Sequence, residues 1–285
     1  MVAKLAQPFS ASAQYGFPNF MIVGAQKAGT TALYEYLSKH PDIQPTKVKE
    51  LHYFSCESLF KNGVEFYRSL FPIGTSSKLT FDASPSYLHN TRAPGRILAH
   101  NPNIKIIVLL RDPVERAYSA WNMYKKRYLS NRNWFFEDWV SYCGDSGLSI
   151  VRRQENRLFD FLHYAADEIE LQNNQRSTIL EAPIIPHGHY HDQIQRYFSL
   201  FNRGQILILE NVEMLKSTVS CLRKIEAFLG ISACDWHDID LAPVFEGEYS
   251  EPVDEKASCF LREYYASSNE QLFALLGKRY QWGIK

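Results

Sequence analysis

The stretch Asn19-Phe20-Met21-Ile22-Val23-Gly24-Ala25-Gln26-Lys27-Ala28-Gly29-Thr30-Thr31-Ala32-Leu33-Tyr34-Glu35-Tyr36-Leu37-Ser38-Lys39-His40-Pro41 decides the fold. Its opening is a continuous apolar run ending at Gly24, which predicts a strand buried on both faces. Its second half, Thr30 to Lys39, predicts a helix with Leu33, Tyr36 and Leu37 on one face and Pro41 as its stop. Outward from there, Lys78–Asp82 reads as a short strand. Ile104–Leu110 and Gln205–Leu209 read as two more buried strands. Pro113 opens a helix running to about Leu129. Leu215, Val219, Leu222, Ile225 and Leu229 predict one helix closed by Gly230. Leu261, Tyr264, Tyr265, Leu272 and Leu276 mark the last helix. Strands alternating with helices predict an α/β fold with a central, mostly parallel sheet flanked by helices. Ligands in such folds sit at the carboxyl ends of the strands. Residues 1–17 read as a flexible N-terminal arm and 18–285 as a single domain; the polar stretch Asp145 to Pro186 is helical at best.

The chain has 285 residues, 45% hydrophobic and 22% charged, with 31 basic against 31 acidic side chains. This is globular composition, long enough to fold without metal or disulfide. Zero net charge argues against binding nucleic acid through bulk positive potential. The 5 cysteines (Cys56, Cys143, Cys221, Cys234, Cys259) are widely spaced and odd in number, neither a zinc signature nor a disulfide framework. With no secretory h-region and no apolar run near the ~20 residues of a membrane helix, the sequence predicts a cytoplasmic protein with no membrane partner. Oligomeric state is not encoded in any of these features.

Between the first strand and helix lies Gly24-Ala25-Gln26-Lys27-Ala28-Gly29-Thr30-Thr31. Glycines at both ends let successive N–H groups converge on an anion, and the helix N-terminus adds its dipole. Lys27 adds a full charge and the two threonines add hydroxyls. The loop is not a Walker A motif, in which Lys follows the second glycine: Lys27 precedes Gly29, and Thr30 takes the usual Lys position. Arg111 ends the later strand just before Asp112, where a Mg²⁺-holding Asp is otherwise expected. Both departures weigh against a metal-dependent phosphotransferase, which stands as the alternative reading together with a catalytically silent nucleotide-binding module.

The segment Pro18 to Thr31 resembles the 5′-phosphosulfate loop of sulfotransferases, above all the heparan sulfate 3-O-sulfotransferases and the sulfotransferase domain of N-deacetylase/N-sulfotransferases. Three further segments follow in the family's order. They are Lys49-Glu50-Leu51-His52-Tyr53-Phe54 (K-E-P-H-F-F), Arg111-Asp112-Pro113-Val114-Glu115-Arg116-Ala117-Tyr118-Ser119 (R-D-P-x-E-R-x-x-S), and Gly188-His189-Tyr190 leading into Gln193-Ile194-Gln195-Arg196-Tyr197. The resemblance spans about residues 18–282. It implies a P-loop-like fold and transfer of a sulfuryl group from 3′-phosphoadenosine 5′-phosphosulfate (PAPS) to a hydroxyl or amine of a carbohydrate or small-molecule acceptor, releasing the bisphosphate PAP without a metal. It assigns Gln26, Lys27, Ala28, Gly29, Thr30 and Thr31 to the 5′-phosphate and Arg111 and Ser119 to the 3′-phosphate. Lys27 would stabilise the leaving group, Glu50 act as general base, His52 orient the reactants and Lys49 neutralise sulfuryl oxygens. Tyr87 and Tyr190 would touch the acceptor.

The sequence departs from the family at Ser55, where the 3-O-sulfotransferases have Asp. Ala83, in Phe81-Asp82-Ala83-Ser84-Pro85-Ser86-Tyr87, stands where they have Lys. Glu246-Gly247-Glu248 stands where the family carries K-G-R, and the family's disulfide-forming cysteines near there are missing. Two weaker patterns complete the reading. His187, His189 and His191 alternate like metal ligands but lack further ligands and read as helical. Trp134, Phe135, Phe136 and Trp139 read as helix packing.

Overall fold

Five short apolar runs pair side by side in a parallel sheet of order β2-β3-β1-β4-β5: β1 Phe20–Gly24, β2 Ile43–Pro45, β3 Leu79–Ala83, β4 Lys105–Leu110 and β5 Ile206–Glu210. A computed structural model describes residues 16–72, 77–133, 158–174, 184–241 and 251–283. Its helices of eight residues or more are α1 Thr30–Ser38, α2 Ala93–His100, α3 Pro113–Ser130, α4 Phe161–Asn174, α5 Tyr190–Phe198, α6 Thr218–Leu229 and α7 Glu255–Leu276. The α/β class and the parallel sheet expected from the sequence are therefore present. The chain divides into two compact units, Met1–Arg111 with Arg196–Glu246, and Asp112–Gln195 with Gly247–Lys285.

The first unit holds the whole sheet. Every residue of β1 is buried, as is β4 from Ile106 onward, because a parallel strand covered on both faces has no polar side to present. β1 lies between β3 and β4, with Phe20 opposite Phe81 on one side and Lys105 on the other. The Phe20 and Phe81 rings stack with centroids 4.8 Å apart. Two features differ from the sequence expectation. β2 was not foreseen, since three residues ending in Pro45 carry no periodicity; proline is tolerated there because the strand is at the sheet edge. The helix expected from Leu215 to Leu229 is two, Asn211–Lys216 and α6, broken at Ser217, and Leu215 is 68% exposed rather than core. Gly230 does close α6, in the left-handed conformation at φ 75°.

The second unit is helical. Asp112 caps α3, its carboxylate accepting from the Val114 N–H at 2.8 Å, and Pro113 fills the first turn where no N–H is needed. Trp121, Tyr124, Phe161, Tyr164, Ile184, Ile185, Leu261 and Tyr265 form its core. Arg116 and Glu168 are buried in the same unit. Arg116 donates through Nη2 to the Ile184 carbonyl, and both Glu168 oxygens accept from the Ile185 N–H, at 3.1 and 3.2 Å.

Burial raises the Glu168 carboxyl to about 8 against the opposing pull of the Ile185 N–H and the Arg116 charge. The folded pKa lies above the ordinary value of 4.5, so the unfolded chain loses its proton first and stability falls as pH rises from about 4.5 to about 8. Glu168→Gln keeps a carbonyl acceptor for Ile185 and removes the titration. Unfolding free energies from urea titration at pH 5 and pH 8 should converge in the variant relative to the parent, by on the order of a few kcal/mol at ~1.4 kcal/mol per unit.

Candidate active site

Because all the strands run parallel, the segments leaving β1 to β5 emerge at one edge of the sheet. The chain moves from β1 outward to β2 and β3 on one side and to β4 and β5 on the other, so the carboxyl end of β1 is a topological switch point. The segment Gly24–Gly29 occupies that point and is tied down by its neighbours. The Ala25 N–H donates to the Leu109 carbonyl at 2.7 Å, and the Ala28 N–H turns back onto Ala25 at 3.1 Å. Arg111 Nη1 donates to the Lys27 carbonyl at 3.3 Å, and Asn211 Nδ2 to the Ala28 carbonyl at 2.8 Å. Carbonyls are thus drawn away to β4 and β5.

Gly29 ends the loop at φ 101° and starts α1 without any side chain to cap it. The N–H groups of a helix's first turn have no intrahelical acceptor, and their dipole favours an anion. A Cβ at Gly29 would lie 2.8 Å from Met214 Cε and 3.0 Å from Asn211 Nδ2, so the cradle exists because that atom is missing. Thr30 is buried at the helix start, while Gln26, Lys27 and Thr31 are half-buried. An ammonium, two hydroxyls and a helix N-terminus around a concave turn fit a phosphate or sulfate ester end.

The described non-glycine residues at positive φ are Lys27 (66°), Glu50 (65°) and His52 (53°), all three singled out from the sequence as catalytic. Such backbone costs about 1–2 kcal/mol per residue and persists where the surroundings impose it. Glu50 is bracketed by two basic side chains: Lys49 Nζ bonds Oε1, and His52 Nε2 stands 3.6 Å from Oε2. Burial alone would raise the Glu50 carboxyl, but His52 and Lys49 outweigh it and hold it at about 2. Its side chain is nevertheless 42% exposed, so an acceptor can reach it.

Behind His52 lies a polar network that the sequence reading missed. The His52 N–H donates to Ser84 Oγ at 3.0 Å, and Ser84 donates to Asp82 Oδ1 at 2.7 Å. Tyr67 and Tyr87 donate to Asp82 Oδ2 at 3.0 and 2.7 Å. Asp82 is fully buried, which raises its carboxyl against the pull of these three hydroxyls. On the other side, His52 Nδ1 is 2.7 Å from Ser86 Oγ, which is 2.7 Å from Ser55 Oγ. Ser55, which stands where the 3-O-sulfotransferases have Asp, is thus joined to this network. Pro85 and Leu88 link this network to the phosphate loop: a Cβ at Gly24 would meet the Pro85 carbonyl at 3.1 Å and Leu88 Cβ at 2.6 Å.

The first unit therefore holds Gln26 to Thr31, Lys49, Glu50, His52 and Arg111 together. Tyr87 is there too, but fully buried, with its hydroxyl on Asp82. In the second unit Ser119 is buried on α3, and Tyr190 is buried against Trp282 at a centroid distance of 5.8 Å. The alternating histidines do not share a strand face, since Pro186–Gly188 is a 3₁₀ turn and α5 starts at Tyr190. His189 Nε2 lies 3.0 Å from the Tyr264 hydroxyl, and His191 Nδ1 pairs with Asp192 at 2.8 Å. Among the described residues no group of three or more His, Cys, Asp or Glu is placed to hold a metal. Among them Cys56, Cys221, Cys234 and Cys259 are free thiols. The N-terminal arm up to residue 15, Cys143, Trp134, Phe135, Phe136, Trp139 and Glu246-Gly247-Glu248 lie outside the described residues.

A strand, an anion-cradling turn and a glutamate set between cations define an α/β transferase of phosphate- or sulfate-activated groups. Comparison with known proteins gives the particular family: a model described as "Sulfotransferase domain" matches residues 17–240, and the chain belongs to this family. The membrane-associated sulfotransferase kil1 of Dictyostelium discoideum is 27% identical over 319 residues, covering 93% of this chain and 66% of its own length. The bifunctional heparan sulfate N-deacetylase/N-sulfotransferase 1 of Homo sapiens is 27% identical over 293 residues, covering 92% of this chain but 30% of its own length. The chain thus spans just under two thirds of one relative and less than a third of the other. The crystal structure of a sulfotransferase from Alicyclobacillus acidocaldarius superposes with a TM-score of 0.67 at 25% identity, covering 93% of this chain and 98% of that one.

One expectation is corrected by these relatives. The cytoplasmic placement, and with it the exclusion of a membrane, is overturned by likeness to a membrane-associated sulfotransferase along 93% of the chain. Among the described residues no helix is long and apolar enough to cross a membrane. Association with a bilayer needs no such helix within the catalytic part, because a surface contact or a separate anchor suffices. An odd number of thiols is likewise no address.

Gly29→Ala tests the cradle. A methyl group there meets Met214 and Asn211 in a left-handed backbone, so the unfolding free energy from denaturant titration should drop by roughly 1–3 kcal/mol. Affinity for PAP, read by calorimetry, should fall with it.

Proposed function

We propose that this chain transfers a sulfuryl group from PAPS to a hydroxyl or amine of a carbohydrate or small-molecule acceptor, by in-line displacement with Glu50 as general base. The observation that carries the reading is the concentration of left-handed backbone at Lys27, Glu50 and His52, on segments leaving one edge of the sheet. The heparan sulfate relative favours a carbohydrate among the acceptors. The residues fit the nucleotide's sulfated end: Gln26, Ala28, Gly29, Thr30 and Thr31 offer amides and hydroxyls to the 5′-phosphate, and Arg111 offers its planar fork to the 3′-phosphate.

In the reaction the acceptor oxygen or nitrogen forms a bond to sulfur while the bond from sulfur to the phosphate oxygen breaks. The acceptor proton passes to Glu50, and the electron pair of the broken bond stays on PAP, where Lys27 meets the growing charge. Glu50, held at about 2, is ionised throughout the physiological range but is a weak base while both cations face it. Lys49 drawn toward the sulfuryl oxygens leaves the carboxylate less compensated and more basic, so loading the donor activates the base.

Lys27→Ala should weaken PAP binding about tenfold or more and lower turnover, both measured against the parent by calorimetry and by transfer from labelled PAPS. Glu50→Gln should leave PAP affinity near the parent value while cutting turnover ~10²–10⁴-fold. An undiminished rate in Glu50→Gln removes Glu50 from the mechanism.

A further inference from the structure

The hydroxyls around His52 form a relay that reaches its ring. The His52 carbonyl can only accept, and Ser55 Oγ donates to it at 3.2 Å. With the Ser55 proton on that carbonyl, Ser86 is the donor at its 2.7 Å contact with Ser55. In that arrangement the imidazole supplies the hydrogen from Nδ1 at its 2.7 Å contact with Ser86. The ring's other nitrogen, Nε2, faces Glu50 Oε2 at 3.6 Å. On its main-chain side His52 is held through Ser84 by buried Asp82, which Tyr67 and Tyr87 also bond.

We infer that Ser86 and Ser55 are positioning residues that lock His52 in the tautomer with hydrogen on Nδ1, while Asp82 and Ser84 hold its strained backbone so that Nε2 stays turned to Glu50. The inference rests on the proposed role of Glu50 only for its kinetic consequence. The charged groups facing His52 are Glu50 and buried Asp82, with Lys49 bonded to Glu50 from the other side. A neutral imidazole carrying Nδ1–H presents a lone pair to the carboxylate, whereas the imidazolium presents a proton.

The position where the 3-O-sulfotransferases have Asp gives a discriminating variant. Ser55→Ala frees the Ser86 proton to turn toward Nδ1 and should shift the neutral ring to the Nε2–H tautomer. Ser55→Asp supplies an acceptor for Ser86 and should retain Nδ1–H. Ser86→Ala removes the partner of Nδ1 outright.

The test is ¹⁵N–¹H correlation of the histidine side chains at alkaline pH in ¹⁵N-labelled protein, with His52 assigned by its loss in His52→Gln. Turnover and PAP binding are measured on the same variants, and retained PAP affinity reports that each is folded. The parent should show Nδ1–H; Ser86→Ala and Ser55→Ala should lose that signature and about ten- to a hundredfold in kcat, with KM nearly unchanged and Ser55→Asp restoring both. A parent ring protonated on Nε2, or a tautomer that neither alanine variant moves, overturns the inference. The two readings fail separately. Full activity in Glu50→Gln with a tautomer that still responds to Ser86 rejects the base and keeps the lock, and the converse pattern rejects the lock alone.

Discussion

β1 hydrogen-bonds to β3 on one side and β4 on the other, and this double pairing is the constraint from which the site follows. A central parallel strand has both backbone edges committed, so its only freedom is where it ends. At Gly24 the register with β4 shifts and the chain leaves the sheet with neighbours already in place on each side. Leu109 takes the Ala25 amide, Arg111 the Lys27 carbonyl and Asn211 the Ala28 carbonyl. The loop is thus shaped before any ligand arrives, which removes the entropy of ordering it from the cost of binding.

The strained residues are held by the same means. His52 donates its N–H to Ser84, and its carbonyl accepts from the Ser55 and Cys56 N–H groups at 3.2 and 2.9 Å. A net ~1 kcal/mol per hydrogen bond is the same size as the penalty for a left-handed residue, so a few such bonds suffice to keep the backbone there. The benefit is geometric: in an extended chain residues two apart point to one side at about 7 Å spacing, whereas here the Glu50 and His52 side chains approach to 3.6 Å.

What the sequence disclosed depended on whether a feature left a periodic or spaced trace. β1 and β4 were legible because an uninterrupted apolar run has few other uses, and the phosphate loop because glycine, lysine and paired threonines between a strand and a helix are improbable together. β2 left none, being three residues long and ending in proline. The break at Ser217 was hidden because leucines on either side keep helical spacing across it. The hydroxyl network was illegible for a different reason: Ser55, Ser84 and Ser86 are ordinary residues whose significance comes only from distances across the fold. Glu50 and His52 were found by motif, but their inverted backbone was not, since nothing in Glu-Leu-His demands positive φ. Cellular placement was misread because composition carries no record of what a surface touches.

Pro45 has a role beyond ending β2. An outermost strand offers its free N–H and C=O groups to any other extended chain, and here that strand leads directly into the segment bearing Lys49, Glu50 and His52. A residue without an amide hydrogen at the last position leaves an intruding strand without a donor where it would come nearest the catalytic segment. Brevity and proline together fence the sheet on that flank, so that an extended substrate or a neighbouring molecule meets the reactive side chains and not the backbone that holds them.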